Sequence, residues 1–188
     1  MTRVIEPREL QSTGVVKLAR WLLGKALVRT GPGGREVRLI TETEAYDGER
    51  DLACHASRGR TKRTEVMYRS GGVWYVYLCY GVHEMLNLVV GAEEYPAAVL
   101  IRGVDGIVGP GRLTRRLGIG RDLNGAPAQP GSGLHLEDAG IVLPRGAVLT
   151  GPRVGVDYAG PVWAAKPWRF QLRPEALARL RPPGCAVG

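Results

Sequence analysis

Two acids set two residues apart, a ladder of tyrosines and an arginine-rich loop share one stretch of this chain, LITETEAYDGERDLACHASRGRTKRTEVMYRSGGVWYVYLCYGVHEMLN at positions 39–87. A carboxylate can activate water, aromatic rings can stack on a base, and Arg and Lys can hold phosphates. One contiguous segment thus meets three separate demands of chemistry on a base within a nucleic acid.

Glu44 is the sharpest of these candidates. Period-two alternation along 36–46 places Glu42, Glu44 and Tyr46 on one strand face. An acid beside an aromatic and an apolar run can be partly desolvated and poised as a base. A solvent-facing glutamate on an edge strand has the same spacing, and periodicity does not separate Glu44 from Glu42. Tyr46, Tyr75, Tyr77 and Tyr80, with Trp74, suit a stacking pocket, although half-buried strands also gather aromatics for packing. Tyr80 precedes Gly81 at an expected hairpin tip, where its ring would be exposed and able to wedge into a base stack. Arg58, Arg60, Lys62, Arg63 and Arg69 alternate with small polar residues, the pattern of either a solvated surface or a phosphate-binding loop.

Other chemistries find little support. His55, His83 and His135 lack paired spacing, and His135-Leu136-Glu137 matches only the first half of a zinc deaminase signature, with no CxxC after it. Cys54, Cys79 and Cys185 form neither a disulfide framework nor a metal clip, which points to a reducing, cytoplasmic setting. No GxSxG, Walker A or GxGxxG fingerprint occurs in a strand-to-helix context. Lys62 is the only lysine near the acids, so a lysine Schiff base is a poor prospect.

These side chains need a scaffold. Residues 11–27 carry Val15, Leu18, Ala19, Leu22 and Leu23 on one helical face, with Ser12-Thr13 as a cap and a stop near Gly24. A hairpin should follow, turning at 31–34 into the long strand that holds Glu42 and Glu44. Residues 73–78 form a strand with Trp74, Val76 and Leu78 on one face and Val73, Tyr75 and Tyr77 on the other. It turns at Tyr80-Gly81 into a strand over 85–90. Residues 97–101 read as a buried strand ending in Arg102, 112–119 as a short basic helix that could dock phosphate, and 124–132 as a surface loop. Strands over 134–138 and within 148–158 and a helix over 174–180 complete the chain, with flexible ends expected near 1–8 and 182–188.

At 188 residues the chain suits one domain with one core. A net charge of +8 and a pI near 9.8 predict attraction to a polyanion, and of the 26 basic residues only Lys17, Lys25, Lys62 and Lys166 are lysines. Arginine favours bidentate phosphate contact and stacking, though a GC-rich genome would produce the same bias. No apolar run approaches the roughly 20 residues that span a bilayer, and the N-terminus lacks a signal-peptide core, so a soluble protein is expected.

The segments ETEAYDGERDLACHASRGRTKR, GGVWYVYLCYGVHEMLNLV, AAVLIRGVDG, GPGRLTRRLGI and PRVGVDYAGPVWAAKPWRF resemble the alkyladenine (3-methylpurine) DNA glycosylase family over roughly 11–172. The resemblance implies an α+β fold: a single compact domain around a curved antiparallel β-sheet, with a protruding β-hairpin and flanking helices. It implies hydrolysis of the bond between a damaged purine and deoxyribose, with no metal or organic cofactor. Carried over residue by residue, Glu44 is the general base and Arg102 its partner in positioning water. The flipped purine lies between Tyr46 and His55 on one side and Tyr77 on the other, and Asn87 screens out guanine by crowding its exocyclic amine. Tyr80 fills the vacated stack. Val82 and His83, also expected to touch DNA, follow it where mammalian members carry bulkier groups, and Arg112 resembles a phosphate contact; Arg58, Arg60 and Arg63 are expected DNA contacts from the charge of their loop. The implied partner is double-stranded DNA containing damaged purines, bound by a monomer in the cytoplasm at the nucleoid. From the residues alone, a non-catalytic nucleic-acid-binding module remains the other reading.

Overall fold

The computed structural model describes residues 2–11, 14–31 and 33–180. The expected Ser12-Thr13 cap, Pro32 in the first turn, Cys185 and the end at 182–188 lie outside them. The elements in chain order are β1 (Arg3–Val4), α1 (Val15–Trp21), β2 (Ala26–Gly31), β3 (Gly34–Asp47), β4 (Trp74–Cys79), β5 (His83–Val90), β6 (Ala97–Val104), β7 (Ile107–Val108), α2 (Pro110–Arg116), β8 (Leu134–Asp138), β9 (Val148–Gly151), α3 (Gly160–Ala164), β10 (Arg169–Leu172) and α4 (Pro174–Leu180). The strands form one antiparallel sheet in the order β1-β8-β2-β3-β6-β5-β4, with β10 pairing β3 and β9, and β7 pairing β6. This is the expected α+β single domain. No helix among the described residues is long and apolar enough to cross a membrane.

β3 organises the molecule. Its first half pairs with β2; its second half lies between β6 and β10, and the register shifts between Ile40 and Thr43. A bulge there inverts the side-chain phase. Ile40 faces the main core, yet beyond the bulge Ala45 points into that core and Thr43 Oγ1 donates to the Ala19 carbonyl of α1 at 2.7 Å. Glu42, Glu44 and Tyr46 are therefore turned to the opposite face. The neighbouring strands divide in the same way. Trp74, Val76, Leu86, Leu88, Val99 and Ile101 fill the main core, whereas Tyr75, Val89 and Ala98 join a second cluster with Cys54, Ala56, Val66 and Met67. Trp74 is fully buried and donates its indole N–H to Leu134 O at 2.9 Å; burial of a side chain of this size contributes roughly 1.5–3 kcal/mol.

Several boundaries differ from the sequence expectation, each for a local reason. α1 covers only Val15–Trp21, although the whole expected apolar face is buried, and the chain turns at Gly24 with φ +78°. Arg102 lies inside β6, because that strand runs on to Val104 and hairpins into β7. Residues 124–128 are no free loop. They clasp the outer edge of β4 through Gly125 N–H to Trp74 O, Trp74 N–H to Ala126 O and Val76 N–H to Asn124 Oδ1, which shields that edge. Of 148–158 only Val148–Gly151 is strand; the rest is loop and a 3₁₀ turn at Asp157–Ala159. Arg3 and Val4 pair with β8 as β1, and Ile5 is fully buried, so the described residues near the N-terminus are held on the sheet.

Candidate active site

Antiparallel register aligns one row of residues across four strands: Glu44 on β3 faces Leu100 on β6, Leu100 faces Asn87 on β5, and Asn87 faces Tyr75 on β4. With strands about 4.8 Å apart, the Glu44 and Asn87 backbones lie about 10 Å from each other. Tyr46, Met85, Tyr77 and Arg102 flank this row. A cleft of about 1070 Å³ opens above it, lined by Tyr46, His55, Tyr77, Asn87, Arg102 and Val154 among others. The exposed side chains of Arg58, Arg63, Tyr158 and Tyr80 also border it, as does Pro110.

Glu44 is fully buried just beneath the cleft wall. Its Oε1 accepts the Val154 N–H at 2.8 Å and lies 3.5 Å from Arg102 Nη1, and its Oε2 accepts the Tyr46 hydroxyl at 2.8 Å. Burial raises its pKa, opposed by the Arg102 charge, the Val154 hydrogen bond and the Tyr46 hydrogen bond, with the Glu42 charge adding to the rise. A carboxylate held between desolvation and three stabilising contacts has the character of a base. Glu42 is also buried, but its Oε1 is engaged by Arg102 Nε at 3.1 Å and by Arg169 Nε at 2.7 Å. Neither acid is the solvent-facing edge residue that spacing allowed. The ion pairs separate the two: Glu42 anchors arginines, whereas Glu44 is met by one arginine and two neutral donors.

The aromatic walls depart from the expected sandwich. His55 Nδ1 lies 3.0 Å from the Tyr75 hydroxyl, and the His55 and Tyr77 rings meet edge to face with centroids 4.6 Å apart. A stacked base needs about 7 Å between flanking rings, so His55 stands on the Tyr77 wall and not across from it. Burial, then Arg63 and Arg58, push the His55 pKa down to about 4, leaving the imidazole neutral. Burial raises the Tyr46 and Tyr77 phenols, so both remain protonated. Arg63 sits 4.8 Å from the Tyr77 ring centroid. Asn87 is buried, and its Nδ2 donates to Tyr75 O at 3.2 Å and Met85 O at 3.3 Å, which fixes the side chain on the cleft floor.

At the hairpin tip Tyr80 is 93% exposed with φ +50°, and Gly81 follows at φ +69°. Val82 N–H closes the turn on Cys79 O at 3.1 Å. Positive φ at both positions gives the turn a type I′ character, for which Asn-Gly is the usual occupant; a tyrosine there carries strain. Val82 and His83 are exposed beside it. His83 packs against Gly111 so closely that a Cβ there would lie 2.9 Å from the imidazole, which joins the hairpin to the start of α2 and exposed Arg112. Arg60 is not brought to the cleft. Its guanidinium pairs with Glu65 and Glu94 at 2.8 Å each and covers Tyr68.

Sequence reasoning missed the supports. Val154 offers only a backbone N–H, which leaves no mark in composition. Asp51 and Arg153 form a fully buried pair more than a hundred residues apart in the chain, and Arg169 reaches Glu42 from β10. Arg153 in GPRVG, a charge between Pro152 and Val154, was the available signal; Asp51, preceded by Glu49 and Arg50, gave none. Among the described residues no group of three or more His, Cys, Asp or Glu side chains could hold a metal ion.

A family model described as Methylpurine-DNA glycosylase matches residues 9–108 and 105–176. Proteins named "Putative 3-methyladenine DNA glycosylase" are similar along nearly the whole chain. The one from Anaeromyxobacter dehalogenans is 44% identical over 96% of this chain and 88% of its own length. That from Methanocella arvoryzae is 42% identical, over 95% and 97%. That from Myxococcus xanthus is 45% identical, over 95% of both. The matched residues span the bulged β3 with Glu44, the β4–β5 hairpin, Arg102 and the loop that delivers Val154, and this chain belongs to the methylpurine-DNA glycosylase family.

Proposed function

We propose that this chain is a monofunctional purine-lesion DNA glycosylase, acting as a monomer on duplex DNA in the cytoplasm, at the nucleoid. It extrudes a damaged purine such as 3-methyladenine, 7-methylguanine, hypoxanthine or ethenoadenine and hydrolyses the N-glycosidic bond to leave an abasic site. The observation that carries this reading is the buried Glu44 carboxylate, held by Val154 N–H, Tyr46 O–H and Arg102 against the wall of a cleft with two tyrosine faces.

Alkylation at N3 or N7 makes the purine cationic, which weakens the glycosidic bond and favours stacking on tyrosine by about 0.5–2 kcal/mol. Flipping costs a few kcal/mol, and least for a poorly paired base, so selection begins in the duplex. The base enters between Tyr46 and the Tyr77–His55 wall, and the Tyr46 hydroxyl yields Oε2 to a water. That water's oxygen bonds to C1′ while its proton passes to Glu44. From an alkylated, cationic purine the glycosidic electron pair leaves with the base and neutralises its charge; from neutral hypoxanthine or ethenoadenine the same pair leaves on a base that takes up one proton from solvent water as the bond breaks. Arg102 steadies the carboxylate and the water, and the Glu44 charge offsets the developing sugar cation.

Duplexes with one defined lesion each, incubated with the protein, should acquire breaks at the lesion only after alkali, with or without EDTA. Breaks before alkali, or an adduct trapped by borohydride, would indicate a lyase. Tight lesion binding with no base release would favour a non-catalytic binding module.

A further inference from the structure

The Asp51–Arg153 pair is the most deeply buried charge pair among the described residues, both side chains having no exposed surface. Arg153 Nη2 donates to Asp51 Oδ1 at 2.9 Å, and Nη1 to Oδ2 and to the Ala45 carbonyl, the latter at 2.8 Å; Nη2 also reaches Trp163 O at 3.3 Å. The guanidinium lies 4.9 Å from the Tyr46 ring centroid and 5.0 Å from that of Trp168. Asp51 in turn accepts the Asp47 and Ala53 N–H groups at 3.1 Å each. The pair therefore grips β3 at the Ala45 carbonyl, one residue beyond Glu44, the loop after β3, and α3 at Trp163. The residue next to Arg153 is Val154, whose N–H meets Glu44 Oε1.

Stability alone is a poor reason for such a pair, since well-packed apolar residues in its place are often as stable or more so. What a bidentate fork supplies is geometry. We infer that Asp51 and Arg153 are positioning residues for the reaction: together they seat the Val154 N–H on Glu44 and so hold the carboxylate ionised and aimed at the cleft. The inference rests on the proposed role of Glu44. The charged and titratable groups facing Glu44 are Tyr46 and Glu42 from β3, Arg102 from β6 and Arg153 from the 151–156 loop, with Arg169 of β10 compensating Glu42.

The test is the pH profile of single-turnover base release. A base works as the carboxylate, so its activity falls as pH drops through its pKa. Loss of a hydrogen bond to the charged form raises that pKa. Asp51→Asn, which keeps the shape, and Arg153→Lys, which keeps the charge but loses the fork, should each move the acid limb about one pH unit upward and slow release by about 10²-fold, with lesion-duplex binding kept. A uniform loss of rate with the limb unmoved would reduce the pair to a structural one and overturn the inference. A second measurement needs no variant: in the parent protein the Val154 amide resonance should titrate with the midpoint of the acid limb, and an amide that stays still across that limb would equally overturn it. Absence of base release by the parent would instead be a failure of the glycosylase reading; the positioning inference would then be judged by the Val154 amide alone, whose titration midpoint should rise in Asp51→Asn, and an unmoved midpoint would overturn it.

Discussion

His55 shows how a residue's surroundings set its chemistry. With its pKa held near 4 in the fold and near 6.5 in a free chain, the unfolded state binds more protons between those values. Stability should therefore fall as pH drops from 6.5 to 4. His55→Phe keeps the edge contact with Tyr77 and loses the Tyr75 hydrogen bond, a roughly pH-independent cost of about 0.5–1.5 kcal/mol. Its melting temperature should fall less steeply than the parent's across that window, and parallel curves would show that His55 is not the titrating group. Asn87 is fixed by two backbone carbonyls, so it cannot yield to a guanine amine without breaking them. Asn87→Ser should raise release of unmodified guanine relative to hypoxanthine by about tenfold, corresponding to a kcal/mol or so of lost crowding. Unchanged ratios across a purine panel would assign the selection elsewhere. At this scale residue types pointed to the cleft, yet alternation left Glu42 and Glu44 equivalent and only the family resemblance chose between them, because the arginines that separate them come from β6 and β10.

At the scale of the element, alternation made β3 and β4 legible, including the two faces of β4 that enter separate clusters. The bulge in β3 and the Glu44–Leu100–Asn87–Tyr75 row were not legible, since register depends on partner strands and not on local pattern. β10 and the clasp at 124–128 were missed for the same reason. The hairpin tip was readable from Tyr-Gly, but its strain was not. Tyr80→Gly should relieve about 1–2 kcal/mol of left-handed strain and leave the fold as stable or more so. Release of a well-paired lesion should nevertheless fall further than release of the same lesion in a mismatch or bulge, where less flipping energy is needed. Equal losses on both substrates would remove the wedge from the mechanism.

Across the whole molecule, the +8 charge is unevenly available. Arg60, Arg102, Arg153 and Arg169 are committed to carboxylates, whereas Arg58, Arg63 and Arg112 are exposed, with Arg58 and Arg63 on the cleft rim and Arg112 near the hairpin. Alanine at Arg58, Arg63 or Arg112 should each lower the slope of log affinity against log salt by about one, independent of lesion. Arg60→Ala should leave the slope unchanged and cost at most about 1 kcal/mol of stability, as befits exposed ion pairs. A slope that drops with Arg60 as much as with Arg63 would place the DNA path over the Glu65–Glu94 side. Composition revealed the polyanion preference, but which arginines are free depended on carboxylates distant in sequence.

One comparison decides the role of the buried acid: single-turnover base release from duplexes carrying one 7-methylguanine, hypoxanthine or ethenoadenine, by the parent, Glu44→Gln and Glu42→Gln. Release by the parent, none detectable by Glu44→Gln with lesion-duplex affinity kept, and slowed but measurable release by Glu42→Gln is the result expected of the proposed mechanism, in which Glu44 takes the water's proton while Glu42 holds Arg102 and Arg169. Glu44→Gln within a few-fold of the parent, with Glu42→Gln inactive, would contradict it.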